Sequence, residues 1–252
     1  MTRRGFSLLE LLTALAVVAA LLGLTLTAVQ KVRASAARAA CQNNLRQQGL
    51  AVLGYEAAKG RLPPGGVSGP FDPLGVPDGA NHGLWPAVLG QLGENRPYKF
   101  NVSWDHPTNR PATAGRLPVL ECPAADHTLA DGVGVAHAGP VDVNPFLADL
   151  GLIAPAASFE GPLPVNGRVK LTDLSDGAAN TLLVVGACGR AGVAWPSPET
   201  TVPVKEVLAG GPHPGGANAS FADGSVRFLA ADTPLRQVAA LATRAGGEAV
   251  GE

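Results

Sequence analysis

Three groups of residues in this chain have chemistry beyond that of a packed core. Glu10 is a carboxylate at the edge of an otherwise apolar run, where an anion needs a cationic or hydrogen-bonding partner to be tolerated. Asp173, Asp176 and Asn180, around Thr172-Asp173-Leu174-Ser175-Asp176-Gly177, offer the side-chain oxygens that calcium takes. An Asp-Gly pair ahead of a strand is also what a plain turn requires, and the two readings compete there. The third group is the cysteines, Cys41, Cys122 and Cys188, which act as bridges or as small apolar side chains. Catalysis has no comparable constellation. The sequence lacks a Gly-x-Ser-x-Gly elbow, a His-Glu-x-x-His pair and a Cys-x-x-Cys pair. His82, His106, His127, His137 and His213 stand singly without ligand spacing, and Gly132-Val133-Gly134-Val135-Ala136-His137 lacks the third glycine of a dinucleotide loop. No enzyme activity is expected.

The element that carries Glu10 is the most distinctive part of the sequence. Leu11 to Val29 contains no charge and no proline, and its only polar residues are Thr13, Thr25 and Thr27. Nineteen such residues in a helix cross a hydrocarbon layer of about 30 Å. Arg3 and Arg4 precede it, and a basic flank stays cytoplasmic, so the rest of the chain is expected outside. A secretory signal peptide is the rival reading, but its apolar stretch spans about 7–15 residues.

No proline interrupts the chain from Phe6 to Arg61, so the helix is expected to continue beyond the membrane until Gly60 and Leu62-Pro63-Pro64-Gly65-Gly66 end it. At 100° per residue, Ala34, Cys41, Leu45 and Val52 form one stripe, expected to lie against a head domain. Gly and Pro punctuate the next hundred residues, apart from Leu84–Leu92, which suits a turn or two of helix. Trp85, Trp104 and Trp195 are expected as core or loop anchors. Thr181–Gly186 has the composition of a buried strand, and the runs Ala219–Ala222 and Ser225–Leu229 around Asp223-Gly224 predict a hairpin. Thr233-Pro234 opens a last amphipathic helix with Leu235, Val238 and Leu241 inward, closing near Gly246. A spine helix with an antiparallel sheet makes the class α+β, with a loop-rich head over 61–252. The formal net charge of −1, the absence of like-charge blocks and an aromatic content of 5% give no footing for nucleic acid.

On the expected topology the cysteines face an oxidising compartment. Cys41 lies on the inward stripe and Cys122 follows the apolar Leu117-Pro118-Val119-Leu120, so a Cys41–Cys122 bridge is expected with Cys188 free; three buried thiols are the alternative.

Arg3-Arg4-Gly5-Phe6-Ser7-Leu8-Leu9-Glu10 resembles the processing signal of type IV prepilins and type II secretion pseudopilins. The resemblance implies cleavage between Gly5 and Phe6 by a prepilin peptidase/methyltransferase, N-methylation of Phe6, and pairing of Glu10 with the terminal ammonium of a neighbouring subunit. It divides the chain into a leader 1–5, a pilin helix 6–60 spanning the membrane over about 8–29, and the head. Further stretches are similar to a large bacterial branch of pilin-like proteins with a His-x9-Asp-Gly block, here His213 to Asp223-Gly224; others are Cys41–Gln47, Leu62–Gly65, Leu120–Pro123, Asp176–Thr181 and Leu241–Glu248. At Gly186-Ala187-Cys188 the chain departs from that branch, where Gly-Glu is expected. Likeness to major pseudopilins raises calcium in the head, with His213 and Asp223 as ligands. Histidine is a poor calcium ligand, and the competing expectation is that Asp223 fixes the hairpin turn while His213 bonds a loop carbonyl.

The implied function is a structural subunit of a pilus or secretion fibre, with copies of itself or other pilin-like chains, the assembly machinery and the inner membrane as partners. It would reside in the inner membrane, head in the periplasm, before joining a fibre there or at the cell surface. The alternative is a membrane-tethered binder of a solute or glycan, for which the signal serves delivery alone.

Overall fold

The computed structural model describes residues 7–125, 136, 140–142, 161–186, 193–208, 213 and 215–245. Its dominant element is helix α1, Leu8–Lys59, 52 residues without a break, or about 78 Å at 1.5 Å per residue. Ser7 caps its start and Gly60, at φ 69°, ends it, its N–H donating to the Glu56 carbonyl. The glycine falls where the sequence predicts the stop, because the left-handed cap conformation costs a residue without Cβ nothing.

The helix has two halves of different character. From Leu8 to Ala36 every residue is exposed, whereas from Cys41 onward Cys41, Leu45, Gln48, Gly49, Val52 and Tyr55 are buried at spacings of three and four. Ala34, placed on the buried stripe by its helical phase, is exposed, because the head begins to cover the helix only about one turn further on.

The head is built on three antiparallel strands in the order β4-β6-β7: β4 (Leu182–Val185), β6 (Gly216–Phe221) and β7 (Val226–Ala230). Ahead of them, β1 (Gly66–Ser68) pairs antiparallel with β2 (Asn81–Gly83), and β3 (Val141–Asp142) pairs parallel with β5 (Val202–Pro203). The fold is α+β, a long apolar N-terminal helix with antiparallel sheets. Alternation along β6 explains how the sheet serves two sides. Ala217, Ala219 and Phe221 enter a core with Val238 and Leu241 of the C-terminal helix, Leu235–Ala242. Asn218 and Ser220 face α1, where Ser220 approaches Gly49 so closely that a Cβ on the glycine would sit 3.3 Å from it. β4 contributes to both cores because its register shifts between Leu182 and Val184, sending Leu182 and Val185 one way and Leu183 and Val184 the other.

The hairpin forms around Asp223-Gly224 as predicted, with β6 starting earlier, at Gly216. Leu84–Leu92 supplies one 3-10 turn, Trp85–Val88. Trp85 and Trp195 are fully buried and Trp104 is half-buried. The C-terminal helix differs from expectation at both ends. Leu235 is 37% exposed, since only Val238, Ala239, Leu241 and Ala242 point at the sheet, and the helix ends at Ala242 rather than near Gly246.

Candidate functional site

Two places concentrate the residues singled out above. The first is the free half of α1. The helix is long and apolar enough to cross a membrane, and its apolar part is wholly exposed, with Leu8, Leu12, Leu15, Leu22 and Leu26 each more than half accessible. At its start the Glu10 carboxylate accepts a hydrogen bond from the Ser7 N–H at 3.0 Å while Ser7 Oγ accepts from the Leu9 N–H at 3.3 Å. This capping box satisfies backbone donors that a helix start leaves unpaired, giving Glu10 a local role in the single chain. Gly5 and Phe6 lie outside the described residues.

The second place is where the first covered turn of α1 meets the segment 116–122. Cys41 and Cys122 are joined by a disulfide, with Cα atoms 5.4 Å apart and a sequence separation of 81. Cys188 lies outside the described residues. One and two turns along the same face, Asn44 Nδ2 donates to the carbonyls of Pro118 (3.0 Å) and Glu121 (2.7 Å), and Gln48 Nε2 donates to that of Val119 (2.6 Å). Positions 41, 44 and 48 thus hold one irregular segment by a covalent bond and three hydrogen bonds. The carbonyls of Pro118 and Val119 in the 3-10 turn Pro118–Leu120, and of Glu121 after it, find donors in helix side-chain amides, with the Glu121 N–H also donating to that of Pro118. Glu121, buried, receives Arg116, whose Nε donates to its two carboxylate oxygens at 3.1 and 2.8 Å and whose Nη2 also reaches Oε2.

His213 completes this cluster. Its Nε2 lies 3.3 Å from Cys122 Sγ, and burial, followed by the nearby Arg38 guanidinium, lowers its pKa, so the ring is neutral at neutral pH. Among the described residues, the hydrogen-bond contact of the His213 ring is with the bridge. His213 and Asp223 do not form a joint site. They sit at opposite ends of β6, whose six residues span about 20 Å, and Asp223 Oδ1 accepts from the Ser225 N–H at 2.8 Å within the turn. Burial would raise the Asp223 pKa, but the Ser225 hydrogen bonds and Arg227 outweigh it and the net shift is downward. Gly224 follows with φ 81°, the left-handed position of that turn. At the other proposed oxygen cluster, Asp173 Oδ2 accepts from the Lys170 N–H and Asn180 Nδ2 donates to the Asp176 carbonyl, so each serves a local 3-10 turn.

Beside the bridge is a cavity of about 20 Å³, lined by Cys41, Asn44, Gln48, Cys122, His213 and Asn218 among others. Gln48 Oε1 and Asn218 Nδ2, on residues only 2% exposed, have no hydrogen-bond partner among the described residues. Sequence reasoning missed Asn44, Gln48 and Asn218. Gln48 shares the helical face of Cys41, Leu45 and Val52, and an amide on an otherwise apolar stripe was the available signal.

A family model described as a protein of unknown function (DUF1559) matches residues 30–209, 180 of the 252. The chain belongs to this family. The DUF1559 match begins in the last exposed turns of α1 and takes in both bridge cysteines and the segment they hold, while His213, Asn218 and the β6–β7 hairpin follow it in sequence. No curated protein and no solved structure matches the chain.

Proposed function

We propose that this DUF1559 protein is a structural subunit of a type IV pilus-like or type II secretion fibre, processed at Gly5-Phe6, held in the membrane by the first half of α1 and packed into the fibre through that same half. The observation that carries the reading is the division of α1: one unbroken rod, fully exposed and apolar from Leu11 to Val29, with a single carboxylate at its start and a head fixed to its far end. Apolar surface of this extent is covered by lipid before assembly and by equivalent helices after it. An ammonium on a processed Phe6 supplies the cation that Glu10 needs away from water, since an unpaired buried carboxylate is strongly destabilising. Among the described residues a tethered solute binder receives less support, since the cavity beside the bridge, about 20 Å³, holds roughly one water.

Substitution at Glu10 separates capping from ion pairing. Gln keeps the capping box and removes the charge; Val removes both. Intact mass is expected to show all three mature proteins beginning at Phe6. Wild type is expected to form fibres, and Glu10→Gln and Glu10→Val both to insert in the membrane yet fail to polymerise. Normal fibre yield from Glu10→Gln would assign the carboxylate to capping alone and remove the ion-pair basis of the proposal.

A further inference from the structure

The cluster of Cys41, Cys122 and His213 has a property that neither the bridge nor fibre assembly uses. The two sulfurs and the nearer imidazole nitrogen lie within 4.8 Å of one another, all on buried residues. Tetrahedral zinc, with Zn–S of about 2.3 Å and Zn–N of about 2.0 Å, places its ligand atoms roughly 3.3–3.8 Å apart. Separating two thiols to that range asks for little movement, because their Cα atoms are 5.4 Å apart and the His213 nitrogen is already 3.3 Å from Cys122 Sγ. Three protein ligands leave a fourth position open. The adjoining cavity holds about one water, and Gln48 and Asn218, whose Oε1 and Nδ2 lack partners among the described residues, are among its lining residues.

We propose that the dithiol form of this cluster binds one thiophilic divalent cation, with zinc as the type, through Cys41, Cys122 and His213, and that metal binding and disulfide formation are mutually exclusive states of the site. Charge selects the class of ion: two thiolates and a neutral imidazole around a dication sum to zero, whereas a monovalent ion would leave a net charge buried. Binding releases the two thiol protons and involves no redox step. A newly made chain carries both thiols before oxidation; in the oxidised protein a trialkylphosphine regenerates them, taking one water oxygen as phosphine oxide.

The test uses the full-length chain in detergent, reduced by such a phosphine and titrated with Co²⁺, then Zn²⁺. One equivalent of Co²⁺ is expected to give tetrahedral d–d bands and thiolate-to-cobalt charge transfer, lost when Zn²⁺ displaces it; the unreduced protein should give neither. His213→Ala is expected to weaken binding by at least about tenfold. His213→Cys should retain it, with charge transfer greater by about half because three thiolates replace two. Absence of charge transfer in the reduced wild type, equal uptake by the disulfide form, or wild-type affinity in a folded His213→Ala would each overturn the proposal. Should His213→Ala not fold, the wild-type and His213→Cys spectra decide it, and circular dichroism that Zn²⁺ fails to restore after reduction also counts against it.

Discussion

His82 shows how much a single buried side chain contributes to the head. It is fully buried, with Nδ1 2.6 Å from the Tyr98 hydroxyl and Nε2 3.2 Å from the Phe100 carbonyl. The carbonyl can only accept, so Nε2 carries the hydrogen and Nδ1 accepts from Tyr98. A neutral ring therefore satisfies every partner, and the rings of Tyr98 and Phe100 pack edge-on against it. Burial lowers the His82 pKa below its ordinary 6.5, outweighing the opposite pull of the Phe100 carbonyl. The unfolded chain then binds more protons than the folded one as pH falls below about 6.5, so stability is fully present above that value and is lost as pH falls through the folded pKa. His213 shifts in the same direction and adds to the effect. The urea midpoint of the head is expected to drop between about pH 7.5 and pH 5, and His82→Gln to flatten that dependence; an unchanged slope in the variant would place the titration elsewhere.

At the scale of elements, the two halves of α1 answer differently to the same substitution. Leu45 is 3% exposed within the main core, whereas Leu15 is 58% exposed. Leu45→Ala is expected to destabilise the head by about 2–5 kcal/mol, read from denaturant unfolding, while Leu15→Ala leaves that midpoint in place; equal effects would refute the division. This helix was the most legible element in the sequence, because a fifty-residue span without proline, ended by glycine, admits few alternatives. The hairpin was nearly as legible, its Asp223-Gly224 turn flanked by alternating runs. The loops and short strands after α1 were not, since their backbone partners are remote: the Leu62 N–H meets the Val169 carbonyl, the Gly65 N–H that of Pro164, and the Gly83 N–H of β2 that of Pro196. No local periodicity encodes such pairings. The candidate site divides likewise. The inward face of Cys41 follows from helical phase, but the approach of His213, 91 positions after Cys122, comes from tertiary packing.

For the whole molecule the bridge is the strongest single constraint. It ties positions 81 apart, and removing a closed loop of that size from the unfolded ensemble is worth about 4 kcal/mol. Cys41→Ala with Cys122→Ala is expected to lower unfolding stability by about that amount, measured in denaturant against the oxidised wild type; an unchanged midpoint would mean that the helix–sheet contacts alone fix the head. The position of the bridge carries a mechanical consequence as well. Cys41 is the first fully buried residue of α1, and everything before it on the helix is exposed or only partly covered. Tension applied along the membrane half meets the head at this covalent bond before it reaches Leu45, Gln48 or Val52. The helix therefore cannot be peeled from the sheet turn by turn from its membrane end, because the load passes through the bridge into Cys122 and the segment 116–122 before the contacts of Leu45, Gln48 and Val52 are strained.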